Sequence, residues 1–214
     1  KSVDTTSNIP DKLVFGGAQL GMEYGISNKT GQPSEALATT LIQTASENGI
    51  RFIDTARDYG DSEKIIGSAL ASIANNKIQV ISKLSSLSEC PDNAPETVLT
   101  KFVDDSLNQT LEHLRTDDID CLMLHRASHL REWDGAVMKR LLALKADGIL
   151  KLLGVSVQTP EELEYALDYE EISLIQMPFN ILDTRWDHLI PLIELEKAKR
   201  KLIIHTRSPL LQGL

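Results

Sequence analysis

Asp54, Tyr59, Lys83 and His125 are the residues whose types and spacing could do chemistry. Asp54 ends the apolar run Phe52-Ile53, and Tyr59 follows it within the same short loop. Lys83 ends Val80-Ile81-Ser82, and His125 ends Cys121-Leu122-Met123-Leu124. An acid, a phenol, an ammonium and an imidazole at the C-terminal ends of successive strands form a proton-handling set, placed as an α/β barrel places its active site. A phenol on its own titrates near ~10 and is a poor proton donor at neutrality. A neighbouring ammonium favours the phenolate and so eases release of the proton. In this reading Lys83 supplies the charge, Asp54 anchors and orients the ammonium, and His125 hydrogen-bonds a carbonyl oxygen. Together they would polarise a C=O and protonate its oxygen as a nucleophile reaches the carbon.

Each residue also has a plainer reading. A tyrosine or lysine after a strand is commonly a rim residue, Asp54 could cap a turn, and His125 could be a satisfied core histidine. The joint placement carries the chemistry. His125, His129, Asp54 and Asp58 lack a convincing ligand spacing, so no metal is expected. Gly16-Gly17, Gly21 and Gly25 do not make a GxGxxG fingerprint and point to a tight turn. Arg126, His129 and Trp133 follow His125 within reach of a substrate, and at least two of them read as solvated loop residues.

The elements that must position these residues alternate along the chain. Apolar runs at Leu13–Phe15, Arg51–Asp54, Val80–Lys83, Ile119–Leu124, Leu152–Val155, Leu174–Met177 and Leu202–His205 read as strands. Helices are expected from Ser34, with Leu37, Leu41, Ile42 and Ala45 as its apolar face and Gly49 at its end, and from Ser62. Others run over 95–114 and 136–145, from Pro160, and over 189–200. Near-continuous apolar strands alternating with helices mean a parallel sheet covered by helices. The expected fold class is α/β, a (β/α)8 TIM barrel incomplete after its seventh strand, in one domain over residues 1–214. An open doubly wound sheet is the alternative; polar residues at nearly every strand end favour the barrel.

Composition bounds the rest. The 214 residues allow a sizeable single core, and 42% hydrophobic with 25% charged residues is ordinary for a globular protein. A formal charge of -9 argues against a nucleic-acid surface. Cys90 and Cys121 are too few for a disulfide framework and fit a reducing compartment. No leader sequence or membrane-spanning run is evident, so a cytoplasmic location is expected, although the chain does not begin with Met.

These residues resemble the aldo-keto reductases. Phe52-Ile53-Asp54-Thr55-Ala56 with Tyr59-Gly60 and Ser62-Glu63 is similar to that family's second-strand signature, and Lys83 to its lysine. Asp105-Ser106-Leu107 with Leu111, Leu114 and Ile119-Asp120 resembles the run leading to its histidine, here His125. Gly148 with Leu153-Gly154-Val155-Ser156, Gln176 with Asn180, and Ser208-Pro209-Leu210 with Gly213 extend the resemblance from Leu13 to Leu214. It implies an NADPH-dependent reductase, NADH being possible, that turns an aldehyde or ketone, sugar-derived or other, into an alcohol. Tyr59 would be the acid, assisted by Lys83 and Asp54, and His125 would orient the substrate. Ser156 and Gln176 would hold the nicotinamide carboxamide, with Arg207 stacking where relatives often have an aromatic. Ser208, Leu210 and Gln212 would approach the pyrophosphate, and Gly17, Ala18, Gln19 and Asp54 would line the cofactor's inner end. Val157 stands where many relatives have Asn, and Ala18 where a hydroxyl residue is common. Relatives continue past Leu214 through an eighth strand and an adenosine-binding segment, so a barrel open on one side is expected, with exposed edge and apolar surface. A cofactor-binding or interaction protein on the same barrel, without turnover, is the alternative function. The expected partner is a small carbonyl compound.

Overall fold

The computed structural model describes residues 12–209 apart from Ser27 and Asn75. Seven strands, β1 (Val14–Gly16), β2 (Phe52–Asp54), β3 (Gln79–Lys83), β4 (Ile119–Leu124), β5 (Leu150–Ser156), β6 (Ile172–Pro178) and β7 (Ile203–Arg207), pair in chain order, every neighbour parallel. A doubly wound sheet must reverse its strand order at a switch point, and this one does not. The result is a curled half-barrel. Across its hollow, Phe52 of β2 and His205 of β7 meet edge to face with ring centroids 6.5 Å apart.

Helices connect the strands: α1 (Ala18–Gly21), α2 (Glu35–Glu47), α3 (Ser62–Ser72), α4 (Glu96–Leu114), α5 (Ala136–Ala146), α6 (Pro160–Leu167) and α7 (Ile190–Lys199). Their starts follow from local chemistry. Ser34 caps α2 by accepting from the Leu37 amide at 3.3 Å, and Thr159 caps α6 by accepting from the Glu162 amide at 3.3 Å, ahead of Pro160. The main core lies between strands and helices, where Ile53, Leu122, Leu124, Val155 and Ile175 meet Ile66, Leu107 and Leu141.

Three details depart from the sequence reading. Leu37 and Leu41 are exposed while Ala38 and Ile42 are buried, because the described residues provide no helix to pack on that side of α2. The glycine-rich turn after β1 includes one helical turn, α1. The sequence reading expects at least two of Arg126, His129 and Trp133 to be solvated, and only Arg126 is exposed. Short 3-10 turns at Ala127–Leu130 and Glu132–Gly135 tuck His129 inside, and the half-buried Trp133 donates from Nε1 to the Pro91 carbonyl at 2.9 Å.

Candidate active site

Side chains alternate across a strand, and that period builds the site. Phe52, Ile81, Cys121, Met123, Leu152, Leu174 and Ile203 face the hollow and pack as its own small cluster. The next inward positions toward the C-terminal rim are Asp54, Lys83, His125, Ser156, Gln176 and His205. The polar residues at the strand ends are therefore one layer, stacked on an apolar one. Gly154 keeps its inward place free for Met123, since a Cβ there would lie 2.7 Å from Met123 Cγ and 2.8 Å from the Leu174 carbonyl.

Lys83 is 1% exposed at its side chain, and every hydrogen-bonding direction of its ammonium is answered. It donates to Asp54 Oδ1 at 2.8 Å, to Asp54 Oδ2 at 2.9 Å and to the Thr55 carbonyl at 2.8 Å. Its Nζ also lies 4.7 Å from the ring centroid of Tyr59. Tyr59 in turn meets the His125 ring edge to face, centroids 5.9 Å apart. Asp54, Tyr59, Lys83 and His125 are thus brought together at one mouth of the half-barrel.

The loop carrying Tyr59 is pinned on two sides. Gly21 presses against it so closely that a Cβ would lie 2.0 Å from the Tyr59 carbonyl and 2.2 Å from the Ser62 amide. Beneath it, the fully buried Glu63 accepts from Ser82 Oγ at 2.6 Å and Thr110 Oγ1 at 2.9 Å and pairs with Arg57. Arg57 also donates to His113 Nδ1 at 2.8 Å. Burial, reinforced by that guanidinium, holds the His113 imidazole below its usual titration range. A buried carboxylate with hydroxyl donors on one oxygen and a guanidinium on the other is fully compensated. The sequence reading saw Glu63 as part of a helix start and did not assign it or Arg57 a role. Their separation across two elements hides the pairing.

Asp58, which the sequence reading weighs only as a metal ligand, also lies at this site. Its Oδ2 lies 3.4 Å from His125 Nδ1 and accepts from the Ser86 amide at 3.1 Å. His125 comes first, and Arg57 and that amide contribute, in holding its carboxyl below the usual carboxylate range. Asp58, Ser86, His125, Arg126, Gln158 and Glu162 line a polar cleft of about 420 Å³ beside the four residues.

Among the positions considered for a cofactor, Ser156 and Gln176 are register partners on β5 and β6, both buried. Gln176 Nε2 donates to Asp54 Oδ1 at 3.1 Å, tying that pair to Lys83. A hydroxyl and an amide side by side supply the donor and acceptor types that a carboxamide needs. The buried Gly17 gives its amide to the Asp54 carbonyl at 2.7 Å. Gln19 is exposed and lines a cleft with Phe15, Leu37 and Leu41; Ala18 is half-buried. Arg207 reaches back to the Val157 carbonyl and the Gln158 side chain, and Ser208 has φ of 58°. Leu210 and Gln212 lie outside the described residues. Among the described residues no three His, Cys, Asp or Glu side chains gather as a cation site.

A parallel strand order without reversal thus carries an Asp–Lys pair, a tyrosine and a histidine at one rim. The Aldo/keto reductase family profile matches residues 12–214, and the chain belongs to that family. It is 28% identical over 162 residues to a D-arabinose 1-dehydrogenase of Saccharomyces cerevisiae, covering 73% of this chain and 46% of that protein. It is 26% identical over 198 residues to an NADH-specific methylglyoxal reductase of Escherichia coli, covering 86% and 60%. The fold superimposes on the holo form of the aldo-keto reductase AKR11C1 of Bacillus halodurans with a TM-score of 0.73, at 23% identity, over 94% of this chain and 63% of that one. The chain spans about half the length of the curated relatives it matches.

Proposed function

We propose that this protein reduces an aldehyde or ketone to the alcohol with a nicotinamide cofactor, Tyr59 delivering the proton. The observation that carries this reading is the buried Lys83 ammonium, held by Asp54 and Thr55 and lying 4.7 Å from the Tyr59 ring centre. An ammonium in that place stabilises the negative charge left on a phenol that has given up its proton. When bound, the nicotinamide supplies the hydride taken up by the carbonyl carbon. The protein's own part is positioning and charge. His125 turns the carbonyl oxygen toward Tyr59, and Lys83 with Asp54 keeps a fixed positive charge beside the phenol. Ser156 and Gln176 hold the carboxamide, with Gln176 exchanging or sharing its bond to Asp54 as it does so. By the family resemblance, Arg207, Ser208, Leu210 and Gln212 would meet the rest of the cofactor.

The substrate is a small, polar carbonyl compound, hydroxylated in the manner of a sugar. The cleft beside His125 supports this, since Asp58, Ser86, Arg126, Ser128, Gln158 and Glu162 make up most of its lining, with Ala127 beside them. NADPH is the cofactor we favour from the family resemblance, and the NADH-specific relative makes NADH the comparison to run. A cytoplasmic location is part of this reading. No helix among the described residues is long and apolar enough to cross a membrane. The charge of -9 fits a partner that is neither DNA nor RNA.

The test is Tyr59→Phe. We expect oxidation of NADPH or NADH with a panel of short aldehydes to fall by at least about 100-fold, the usual scale for loss of a general acid. Binding of the nucleotide, followed by its fluorescence, should change less than about twofold, because only a hydroxyl is removed. Equal turnover by the two proteins would exclude Tyr59 as the acid. Nucleotide binding without turnover in the wild type would favour a binding protein on the same scaffold.

A further inference from the structure

We propose that Asp58 is a positioning residue for His125, its carboxylate holding the imidazole by Nδ1 so that Nε2 is the nitrogen left for the reacting carbonyl oxygen. The inference rests on the carbonyl-reductase reading and adds to it a residue that the four-member set does not contain. His125 Nδ1 is buried and, among the described residues, has no well-directed hydrogen-bond partner; Asp58 Oδ2 stands 3.4 Å from it. Asp58 is itself fixed from the loop after β3, by the Ser86 amide at 3.1 Å on the same oxygen. The loop that holds Asp58 also carries Tyr59, whose ring meets the His125 ring at 85°. One loop therefore fixes both the proton donor and the orientation of the ring that places the substrate.

The chemistry follows from the two ring nitrogens. An imidazole turned with Nδ1–H toward a carboxylate cannot rotate without losing that contact, so the direction of Nε2 is set by its partner. In the neutral ring Nε2 then carries a lone pair, and it becomes a donor to a carbonyl oxygen in the doubly protonated ring. Asp58 thus sets which nitrogen faces the carbonyl oxygen, by its place 3.4 Å from Nδ1. The hold that His125 has on the Asp58 carboxyl, lowering the pH at which it takes up a proton, is the same contact seen from the other side.

The experiment is 15N NMR of the histidine rings in the wild type, Asp58→Asn and Asp58→Ala, over about pH 5 to 9, the range in which histidines titrate. The signals of His125 are assigned by their loss in His125→Asn. Other charged and titratable groups lie around this ring: Tyr59 from the loop after β2, with Lys83 of β3 against the Tyr59 ring, Arg126 and His129 from its own segment, and Glu162 from α6. All are unchanged in the Asp58 variants, so a difference reports Asp58. We expect Nδ1 to carry the proton of the neutral ring in the wild type, and Nε2 to carry it in Asp58→Ala. In turnover, kcat should fall about tenfold in Asp58→Ala with KM nearly unchanged, and Asp58→Glu should recover part of the loss. Identical ring shifts in all proteins would overturn the proposal, as would an altered ring with kcat at the wild-type value. An inactive wild type would instead overturn the reductase reading, and the ring measurement would still decide whether Asp58 holds His125.

Discussion

Asp54 accepts from the Lys83 ammonium with both carboxylate oxygens, at 2.8 and 2.9 Å, although the two residues sit on different strands. The geometry leaves neither charge free in a pocket where Lys83 has almost no contact with water. Removing one member therefore strands the other.

For Lys83→Met, and for Asp54→Asn, we expect losses of up to about 3 kcal/mol, the low end for breaking a buried pair, since Asp54 keeps some solvent contact. Replacing both, as Asp54→Asn with Lys83→Met, should cost less than the sum of the single changes, because no uncompensated charge remains. Urea unfolding of the four proteins measures the coupling. Strict additivity would mean that the pair is not energetically linked.

Gly21 and Gly16 make a matched test of how the Tyr59 loop is held. A methyl at Gly21 would meet the backbone of Tyr59 and Ser62, which cannot swing aside, whereas one at Gly16 meets nothing within 4 Å. Gly21→Ala should cost about 1–3 kcal/mol as overpacking and lower kcat by displacing Tyr59. Gly16→Ala should leave both within about 0.5 kcal/mol and twofold. Thermal unfolding and steady-state rates check it; a harmless Gly21→Ala would show that the loop is not clamped there.

Much of this arrangement is legible in the residues themselves. The strand ends at Asp54, Lys83 and His125 stand out because each closes an apolar run, and β4 spans Ile119–Leu124 as the pattern predicts. The starts at Ser34 and Pro160 are local chemistry and were equally readable. Less visible were facts that depend on a distant partner. Glu63 looks like any acid in the first turn of a helix until Ser82, Thr110 and Arg57 converge on it. His129 looks like a loop residue until two short turns cover it. Leu37 and Leu41 look buried because helical periodicity assigns a face without saying what packs against it. Asp58 is a single acid whose meaning comes only from a ring far along the chain.

Cys90 and Cys121 give a prediction about reactivity. Burial pushes the Cys121 thiol up to about 12, with the Asp54 charge adding to the effect, and burial followed by the charge of Asp92 raises Cys90. The thiolate is the reactive form, so iodoacetamide at pH 8 should modify neither residue in the native protein and both in urea. Mass spectrometry reads the outcome directly. Rapid native labelling of Cys121 would mean that the hollow under the site opens to solvent.

Acid should destabilise the fold before its carboxylates titrate. Burial is the leading cause that depresses the imidazoles of His113, His129 and His205, and Arg57 adds to it at His113. In the unfolded chain each returns to about 6.5. Between the depressed native value and 6.5 the unfolded chain binds more protons, so stability rises with pH across that interval. The contribution is complete above about 6.5 and is lost as pH falls through the native values. The lowered carboxyls of Asp58 and Glu196 act with the same sign, but in a window below their ordinary ~4. Urea midpoints measured at about pH 7.5, 6.5 and 5.5 should therefore fall stepwise at constant m-value. His129→Phe, which removes one buried imidazole without adding a polar group, should flatten the decline. A midpoint that stays level or rises toward pH 5.5 would mean that these rings are protonated in the folded protein.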